Sequence, residues 1–327
     1  MTILVTGGMG FIGSNFIRRF LTQNDEQVIN IDCLTYAGNP LTLIDLAARN
    51  KNYKHVQMDI CYDVGIRTML QTHKPHTIFH FAAESHVDNS IHNSSPFLST
   101  NVMGTVNLLE QVRMVNPEIK FIHVSTDEVF GSLGPKDPPF TEKTPYAPRS
   151  PYAASKAAAD HFVRAYAATH KLRTIITNCS NNYGPYQHPE KFIPTVIRKM
   201  LAGEKVPVYG SGMNIRDWLH VEDHCDALLQ IAERGRVGET YCIGGGTQKT
   251  NIEIACSVIG AIGGSFEQIQ FVEDRKGHDF RYDIDSDKLY LHTGWKPYVY
   301  FPRGLRETVH WYIENMDWVK SCLERSE

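Results

Sequence analysis

The sequence predicts an α/β fold, a doubly wound parallel sheet with a smaller interleaved α/β lobe, on three observations. Short β-branched or apolar runs alternate with helix-length amphipathic stretches through the first half, as in βαβ units on a parallel sheet. A glycine-rich turn, Gly7-Gly-Met-Gly10-Phe-Ile-Gly13, directly follows the first of those runs. The alternation stops after residue 178, where Asn181-Asn-Tyr-Gly-Pro185 opens a loop-rich region.

Taken in order, the strands are expected at 2–6, 27–32, 53–57, 77–82, 119–125 and 173–178, with helices near 11–24, 41–49, 63–72, 97–115 and 151–170. Residues 131–149 carry Pro135, Pro138, Pro139, Pro145 and Pro148. Proline fixes φ and lacks the backbone donor, so this segment should be a surface loop over the site. Trp218-Leu-His-Val221, Cys225 to Glu233 and Glu239 to Ile243 resume a strand, helix, strand reading. The chain is therefore expected to return to its first lobe before finishing in the second. The division is 1–178 plus about 215–250 for a dinucleotide lobe, and 179–214 plus about 251–327 for a substrate lobe.

A chain of 327 residues can bury two ordinary cores. Lys plus Arg total 33 against 36 Asp plus Glu, so no basic excess points to nucleic acid or an anionic membrane. Strand-like Thr2-Ile-Leu-Val5 comes at once, without the charged and apolar regions of a secretory signal, and no apolar run is long enough to span a bilayer. A cytoplasmic location is expected. The seven cysteines include no CxxC and the histidines show no HExxH spacing, so neither a disulfide framework nor a metal is expected.

The glycines let backbone N–H groups approach a pyrophosphate at the positive end of the following helix, the fingerprint of a Rossmann nucleotide fold. Gly7, Gly10 and Gly13 fit GxxGxxG, and Gly8, Gly10 and Gly13 fit GxGxxG. The next strand ends in Ile31-Asp32. A carboxylate there accepts ribose hydroxyls and repels a 2′-phosphate, which favours NAD over NADP. Asp59-Ile60, ending the third strand, reads equally as an adenine contact or an exposed strand-end acid.

Of 15 tyrosines only Tyr152 has a lysine four residues on. That spacing puts Tyr152 and Lys156 on one helix face, where the ammonium can lower the phenol pKa and anchor the cofactor ribose. Upstream, Ser125-Thr-Asp-Glu128 closes an apolar strand. Neighbouring residues on a strand point to opposite faces, so Asp127 and Glu128 share one cleft only if the chain turns there, as Gly131 and the prolines beyond suggest.

Together these residues make the chain resemble the extended short-chain dehydrogenases/reductases, and within them the nucleotide-sugar 4,6-dehydratases. The resemblance runs nearly end to end. It is carried by Thr6-Gly-Gly-Met-Gly-Phe-Ile-Gly13, Leu34-Thr-Tyr-Ala-Gly-Asn39, Ala82-Ala-Glu-Ser-His-Val-Asp88, Ser125-Thr-Asp-Glu-Val-Phe-Gly131, Tyr152-Ala-Ala-Ser-Lys156, Ser180-Asn-Asn-Tyr-Gly-Pro-Tyr186, Pro189-Glu-Lys191, Asn214-Ile-Arg-Asp-Trp218 and Asp274-Arg-Lys-Gly-His-Asp279.

The resemblance implies that Tyr152 and Thr126 act on the O4 of a glucose while its C4 hydride passes to NAD. Glu128 then takes the C5 proton, Asp127 protonates the departing O6, and the hydride returns to C6. The implied cofactor contacts are Gly7, Gly10, Phe11, Ile12, Gly13, Asp32, Thr35, Asp59, Ile60, Ala82, Ala83, Tyr152 and Lys156. Ser85, Asn181, Glu190 and Lys191 would line the sugar and diphosphate. Val206, Tyr209, Arg216, Asn251, Arg275 and His278 would hold the diphosphate and nucleoside, although Arg216 beside Asp217 reads also as an ion pair, and Val206 to Tyr209 as a strand edge.

Cys33, Asn89 and Lys276 depart from residues common in the family. Asn89 leaves the base open between thymidine and uridine, and Cys179-Ser-Asn-Asn-Tyr favours thymidine, hence dTDP-glucose. The helices near 97–113 and 152–169 carry apolar residues on more than one face. Family members pair such helices into a homodimeric four-helix bundle, and burial against the sheet would give the same pattern. UDP-sugar 4-epimerases and UDP-glucuronate decarboxylases share the glycine turn and the Tyr-Lys pair, but need no Asp127–Glu128 pair. A non-catalytic NAD-binding protein would need neither acid.

Overall fold

The computed structural model describes residues 1–326. Twelve strands follow in order: β1 (Thr2–Thr6), β2 (Gln27–Asp32), β3 (Tyr53–Gln57), β4 (Thr77–His80), β5 (Lys120–Thr126), β6 (Thr174–Cys179), β7 (Asn181–Tyr183), β8 (Val206–Tyr209), β9 (Ile215–His220), β10 (Thr240–Ile243), β11 (Gln248–Thr250) and β12 (Ile269–Val272). Seven of them form one sheet in the order β10-β6-β5-β4-β1-β2-β3. Every neighbouring pair in it is parallel. The chain winds outward both ways from β1 and β4, and the crevice beyond their C-terminal ends is where a doubly wound sheet binds ligands.

Burial on both faces explains why the central strands read as continuous apolar runs. Ile3, Leu4 and Val5 are buried, as are Ile29, Ile31, Ile78, Phe79, Phe121 and Ile122. Two apolar clusters sandwich this sheet. One joins Phe16, Ile17 and Phe20 of the helix Phe11–Gln23 to Cys225, Leu228 and Ile231 of the helix Val221–Arg234. The other joins Leu108, Leu109 and Val112 of the helix Thr105–Val115 to Ile66 and Leu70. A third core lies apart, built by the helices Phe192–Leu201, Asn251–Ile262, Phe301–Glu314 and Met316–Glu324.

Several segments differ from the sequence-based expectation. The strand expected at 77–82 stops at His80, and the helix expected at 41–49 starts as a 3₁₀ turn, Pro40–Leu43, capped by the Asn39 side chain. The helix expected over 97–115 is interrupted. A π-helical stretch, Leu98–Gly104, precedes the regular helix. A Cβ at Gly104 would meet the Ile60 side chain at 2.5 Å, so a larger residue in this turn would have to displace Ile60, just beyond β3.

The apolar run expected as strand 218–221 belongs to β9, which ends at His220 and lies in a three-stranded sheet, β11-β9-β7, not in the large one. Its alternation serves two cores: Trp218 packs in the third cluster and Leu219 in the first. β10 then rejoins the large sheet beside β6. Residues 131–149 contain no helix, and isolated bridges tie them to residues 281–284. All seven cysteines are free. Among the described residues no helix is long and apolar enough to cross a membrane.

Phe16 is fully buried, with its ring 4.3 Å from Phe79 and 5.2 Å from Phe81. Phe16→Ala should therefore cost about 3–5 kcal/mol, read as a lowered urea midpoint with unchanged slope. An unchanged midpoint would mean that this helix is not packed as described.

Candidate active site

The glycine turn is shaped by its neighbours before any ligand enters. Gly7 sits at φ +71°, and a Cβ there would lie 2.5 Å from the Ala82 backbone nitrogen. A Cβ at Gly13 would meet the Gly7 carbonyl at 2.4 Å. Buried Asn30 accepts a hydrogen bond from the Gly8 N–H, and Asp32 accepts one from the Met9 N–H, at 3.1 and 2.8 Å. The helix that follows has neither a side-chain cap nor an acid in its first turn, leaving its positive end available to an anion. Asp32 also accepts from the Leu34 N–H at 2.8 Å. Burial raises its pKa and these two N–H groups oppose that.

Tyr152 and Lys156 are fixed by the start of their helix, Pro151–His170. The Ser150 hydroxyl accepts from the Ala153 N–H, and Pro151 occupies the first turn, where its missing donor costs nothing. The Lys156 ammonium donates to the Val124 carbonyl at 2.8 Å. Tyr152 is held well above its ordinary pKa by burial, with the charges of Glu128 and Asp127 adding to it, while a hydrogen bond with Thr126 works the other way. The lowering by Lys156 expected from the spacing is not the balance found: burial dominates, and the lysine itself is pushed down by burial.

The turn that two adjacent carboxylates require begins one residue after the strand ends. Thr126 pairs with Cys179 as the last rung between β5 and β6. Its hydroxyl then accepts from the Glu128 N–H, capping a 3₁₀ turn, Asp127–Phe130, which Gly131 ends at φ +91°. Asp127 and Glu128 thereby both line the cleft. Asp127 is buried, and its Oδ2 has no hydrogen-bond partner. Its pKa stands well above the usual carboxylate range through burial, with Glu128 and Asp217 adding repulsion. Glu128 is also raised by burial, and the positive charges of Arg216, Lys191 and Arg275 pull it back. The pair is thus asymmetric, with Asp127 the better proton holder.

One cleft runs from the glycine turn to these acids. It brings together Gly7, Gly10, Phe11, Ile12, Gly13, Asp32, Thr35, Asp59, Ile60, Ala82, Ala83, Ser85, Thr126, Asp127, Glu128, Tyr152, Lys156, Asn181, Glu190 and Lys191. Lys191 donates to the Ser85 carbonyl at 3.0 Å, and Tyr36 donates to Glu190 at 3.3 Å. Ser125 Oγ, Ser180 Oγ and Asn181 Oδ1 line the same cleft, buried and without partners. Unpaired polar atoms in such a position suit a ligand rich in hydroxyls and phosphates, so the residues fit a dinucleotide and a sugar nucleotide.

Six expected residues are not among those lining the cleft. Val206 is buried in the third core, so it cannot present its side chain to a base. Arg216 is buried, donates to the Ile215 and Asp279 carbonyls, and lies 4.3 Å from the Tyr282 ring centroid. It is not paired with Asp217, whose carboxylate accepts from the Gly245 and Thr247 N–H groups. Tyr209, Arg275 and His278 cluster: the Arg275 guanidinium lies 5.4 Å from the Tyr209 ring centroid and pairs with Asp88 at 2.6 Å. Asn251 opens a helix, its N–H donating to the Asn214 carbonyl.

Other cleft residues escaped sequence reasoning. Ser125 and Ser180 carried a signal, each lying at a strand end within a motif. Trp318 carried none, reaching the cleft from the last helix. Asn101, within the π-helical stretch, bonds both backbone groups of Glu84 and donates to Ser155 at 2.8 Å. Stretches of π-helix often mark functional sites, and this one orients a cleft wall.

A dinucleotide cradle, a Tyr-Lys helix and an acid pair at the mouth of a doubly wound sheet define an extended short-chain dehydrogenase/reductase. The family model described as GDP-mannose 4,6 dehydratase matches residues 4–308, and the chain belongs to that family of nucleotide-sugar 4,6-dehydratases. It is 47% identical to the dTDP-glucose 4,6-dehydratase of Neisseria meningitidis serogroup B, over 99% of this chain and 96% of that one. The crystal structure of the Streptomyces venezuelae dTDP-glucose 4,6-dehydratase DesIV, with NAD and TYD bound, superposes with TM-score 0.95 at 44% identity, covering 98% of this chain and all of that one. The Bacillus anthracis dTDP-glucose 4,6-dehydratase in complex with NAD gives TM-score 0.92 at 46% identity, over 98% and 99% of the two chains.

The state of Asp127 is testable through stability. A carboxyl that binds its proton more tightly folded than unfolded loses stability as pH rises above about 4, up to its folded pKa. Asp127→Asn removes that loss. Its melting temperature should match wild type near pH 4 and exceed it at pH 7.5, by about 1–2 °C per kcal/mol in a chain of this size. A lower melting temperature at pH 7.5 would show an ionised, favourably held Asp127.

Proposed function

We propose that this chain catalyses the NAD-dependent dehydration of dTDP-glucose to dTDP-4-keto-6-deoxyglucose. The observation that carries the reading is the 3₁₀ turn after β5, which sets two unlike carboxyls beside Tyr152 and Lys156 along one cleft. NAD, when bound, accepts a hydride from C4 and returns it to C6, and its positive ring counters the burial that keeps Tyr152 protonated. Gly7, Gly10 and Gly13 cradle its pyrophosphate, Asp32 takes the ribose hydroxyls, and Lys156 anchors the nicotinamide ribose.

Tyr152, as the phenolate formed once that burial is countered, takes the proton from O4, with the Thr126 hydroxyl bonding the same oxygen, and a 4-ketone results. The ketone acidifies the C5–H. Glu128, whose burial is opposed by Lys191 and Arg275 in addition to the Arg216 that also acts on Asp127, removes that proton. Asp127, neutral in its buried position, gives its proton to the C6 oxygen, and water leaves. The proton on Glu128 exchanges with solvent, and a solvent-derived proton is then delivered to C5 as the hydride returns to C6. A 4-epimerase or a decarboxylase has no use for this acid pair, and an idle NAD-binding protein has none for a buried Asp127 with one carboxyl oxygen left without a partner.

We assign the dinucleotide lobe to residues 1–178 plus about 215–250 and the substrate lobe to 179–214 plus about 251–327. Arg275 and His278 face the nucleoside diphosphate, where an arginine fork suits phosphate oxygens. A homodimer through a four-helix bundle is supported by exposed Leu98, Met103 and Phe162 on the helical segments 95–115 and 151–170.

Incubation with dTDP-glucose in heavy water should give a product lighter by one water and carrying one deuterium at C5. Product of unchanged mass, converted to the galactose isomer, would mean epimerisation. Glu128→Gln should accumulate reduced cofactor while losing about 10²–10⁴-fold in turnover, and full turnover would remove Glu128 as the C5 base. In light scattering the protein should show twice 37.1 kDa, and Met103→Glu should halve it. A wild-type monomer would refute the bundle.

A further inference from the structure

Behind the cleft, the helix carrying Tyr152 and Lys156 buries a carboxylate that the mechanism above does not use. Asp160 lies one turn beyond Lys156 on the same face of the helix and has no exposed surface. Its Oδ2 accepts from the Tyr146 hydroxyl at 2.7 Å and from the Asn178 amide at 3.1 Å. His123 Nε2 lies 3.2 Å from Oδ1, which has no well-aligned donor. Two neutral donors and a histidine do not balance a buried anion, whose isolated burial is costly. Its own helix carries a cation four residues to either side, Lys156 and Arg164, and Arg164 reaches it only through the Tyr146 hydroxyl.

The same partners lead back to the reacting groups. The Asn178 amide also donates to the Thr126 carbonyl, at 3.1 Å, the last residue before the turn bearing Asp127 and Glu128. Tyr146, in the proline-rich loop, packs edge-on against Phe130 at the end of that turn and takes a hydrogen bond from Arg164 at 2.7 Å. Asp160 thus touches four elements: its own helix, β5 through His123, β6 through Asn178, and the loop through Tyr146.

We propose that Asp160 is a positioning residue for this reaction. Its buried carboxylate keeps Lys156 charged and, through Asn178 and Tyr146, locks the Tyr152–Lys156 helix against the turn that presents the two acids. The proposal rests on the reading that Tyr152 and Lys156 carry the oxidation step. The groups facing Lys156 are Asp160 on its own helix, His80 on β4, His123 on β5 and Cys179 on β6. Burial pushes His123 down to about 4, so it is neutral and supplies no charge. Burial opposes ionisation of Asp160, and against it stand the contact with the His123 ring, the charge of Lys156 and the Tyr146 hydroxyl.

Two measurements test this. In single-turnover oxidation of dTDP-glucose, followed by the absorbance of reduced cofactor, Asp160→Asn should move the alkaline limb of the rate–pH profile down by about one unit or more. A slower rate with an unmoved limb would reduce Asp160 to packing and overturn the proposal. Separately, melting temperatures at pH 8 are compared for wild type, Lys156→Met, Asp160→Asn and the double variant, without sugar. Lys156→Met strands the carboxylate and should melt lower, and adding Asp160→Asn should recover part of that loss. If Asp160→Asn alone fails to fold, the double variant still decides, because a double variant melting no higher than Lys156→Met means no linkage. Linkage without any turnover of dTDP-glucose would fault the functional reading alone, and turnover without linkage would fault Asp160 alone.

Discussion

Two carboxylates that are neighbours in a chain can act on one molecule only if the backbone stops being a strand between them and their target. Here that constraint is met at Thr126. Its backbone completes the last rung of a fully buried parallel pair, and its hydroxyl caps the 3₁₀ turn that starts with the next residue. The rest of the site is organised around this change. β6 holds the strand side of the junction, Asn178 bonds the Thr126 carbonyl, and the proline-rich loop packs Tyr146 and Phe140 on Phe130.

Once both acids face one cleft, their environments must differ for them to do different work. Burial raises both. Arg216 pulls both back, and what separates them is the rest of the charge: Lys191 and Arg275 act on Glu128, whereas Asp127 has the negative charges of Glu128 and Asp217 against it. Arg216 and Asp217 are adjacent on β9, and alternation along that strand sends one toward Tyr282 and the other toward the Gly245 and Thr247 N–H groups. The charges of the small sheet therefore bear on the acids at the mouth of the large one.

The parts legible in sequence are those whose logic is local. The glycine turn is readable because Gly7 and Gly13 stand where a Cβ would collide with backbone, and the Tyr152–Lys156 pair because helical spacing alone puts both on one face. The acid pair is readable as residues, and the difference between their environments is not, because it depends on charges as far downstream as Lys191, Arg216 and Arg275. β9 misleads because an apolar run buried by two cores looks like a strand of the large sheet. Val206 misleads because a strand edge and a base-packing segment have the same composition. The break at Leu98–Gly104 gives no local sign, and Gly104 at its end lies against Ile60, more than forty positions away in the chain. Asp160 reads as an ordinary helix acid until the fold brings His123, Tyr146 and Asn178 around it.

The central claim is that this turn holds one carboxyl neutral beside one charged before any sugar arrives. Neutron diffraction from a deuterated crystal at neutral pH tests it most directly. A deuteron on the Asp127 carboxyl and none on Glu128 is the predicted result. A bare Asp127, or a deuteron on Glu128 in its place, would contradict the account.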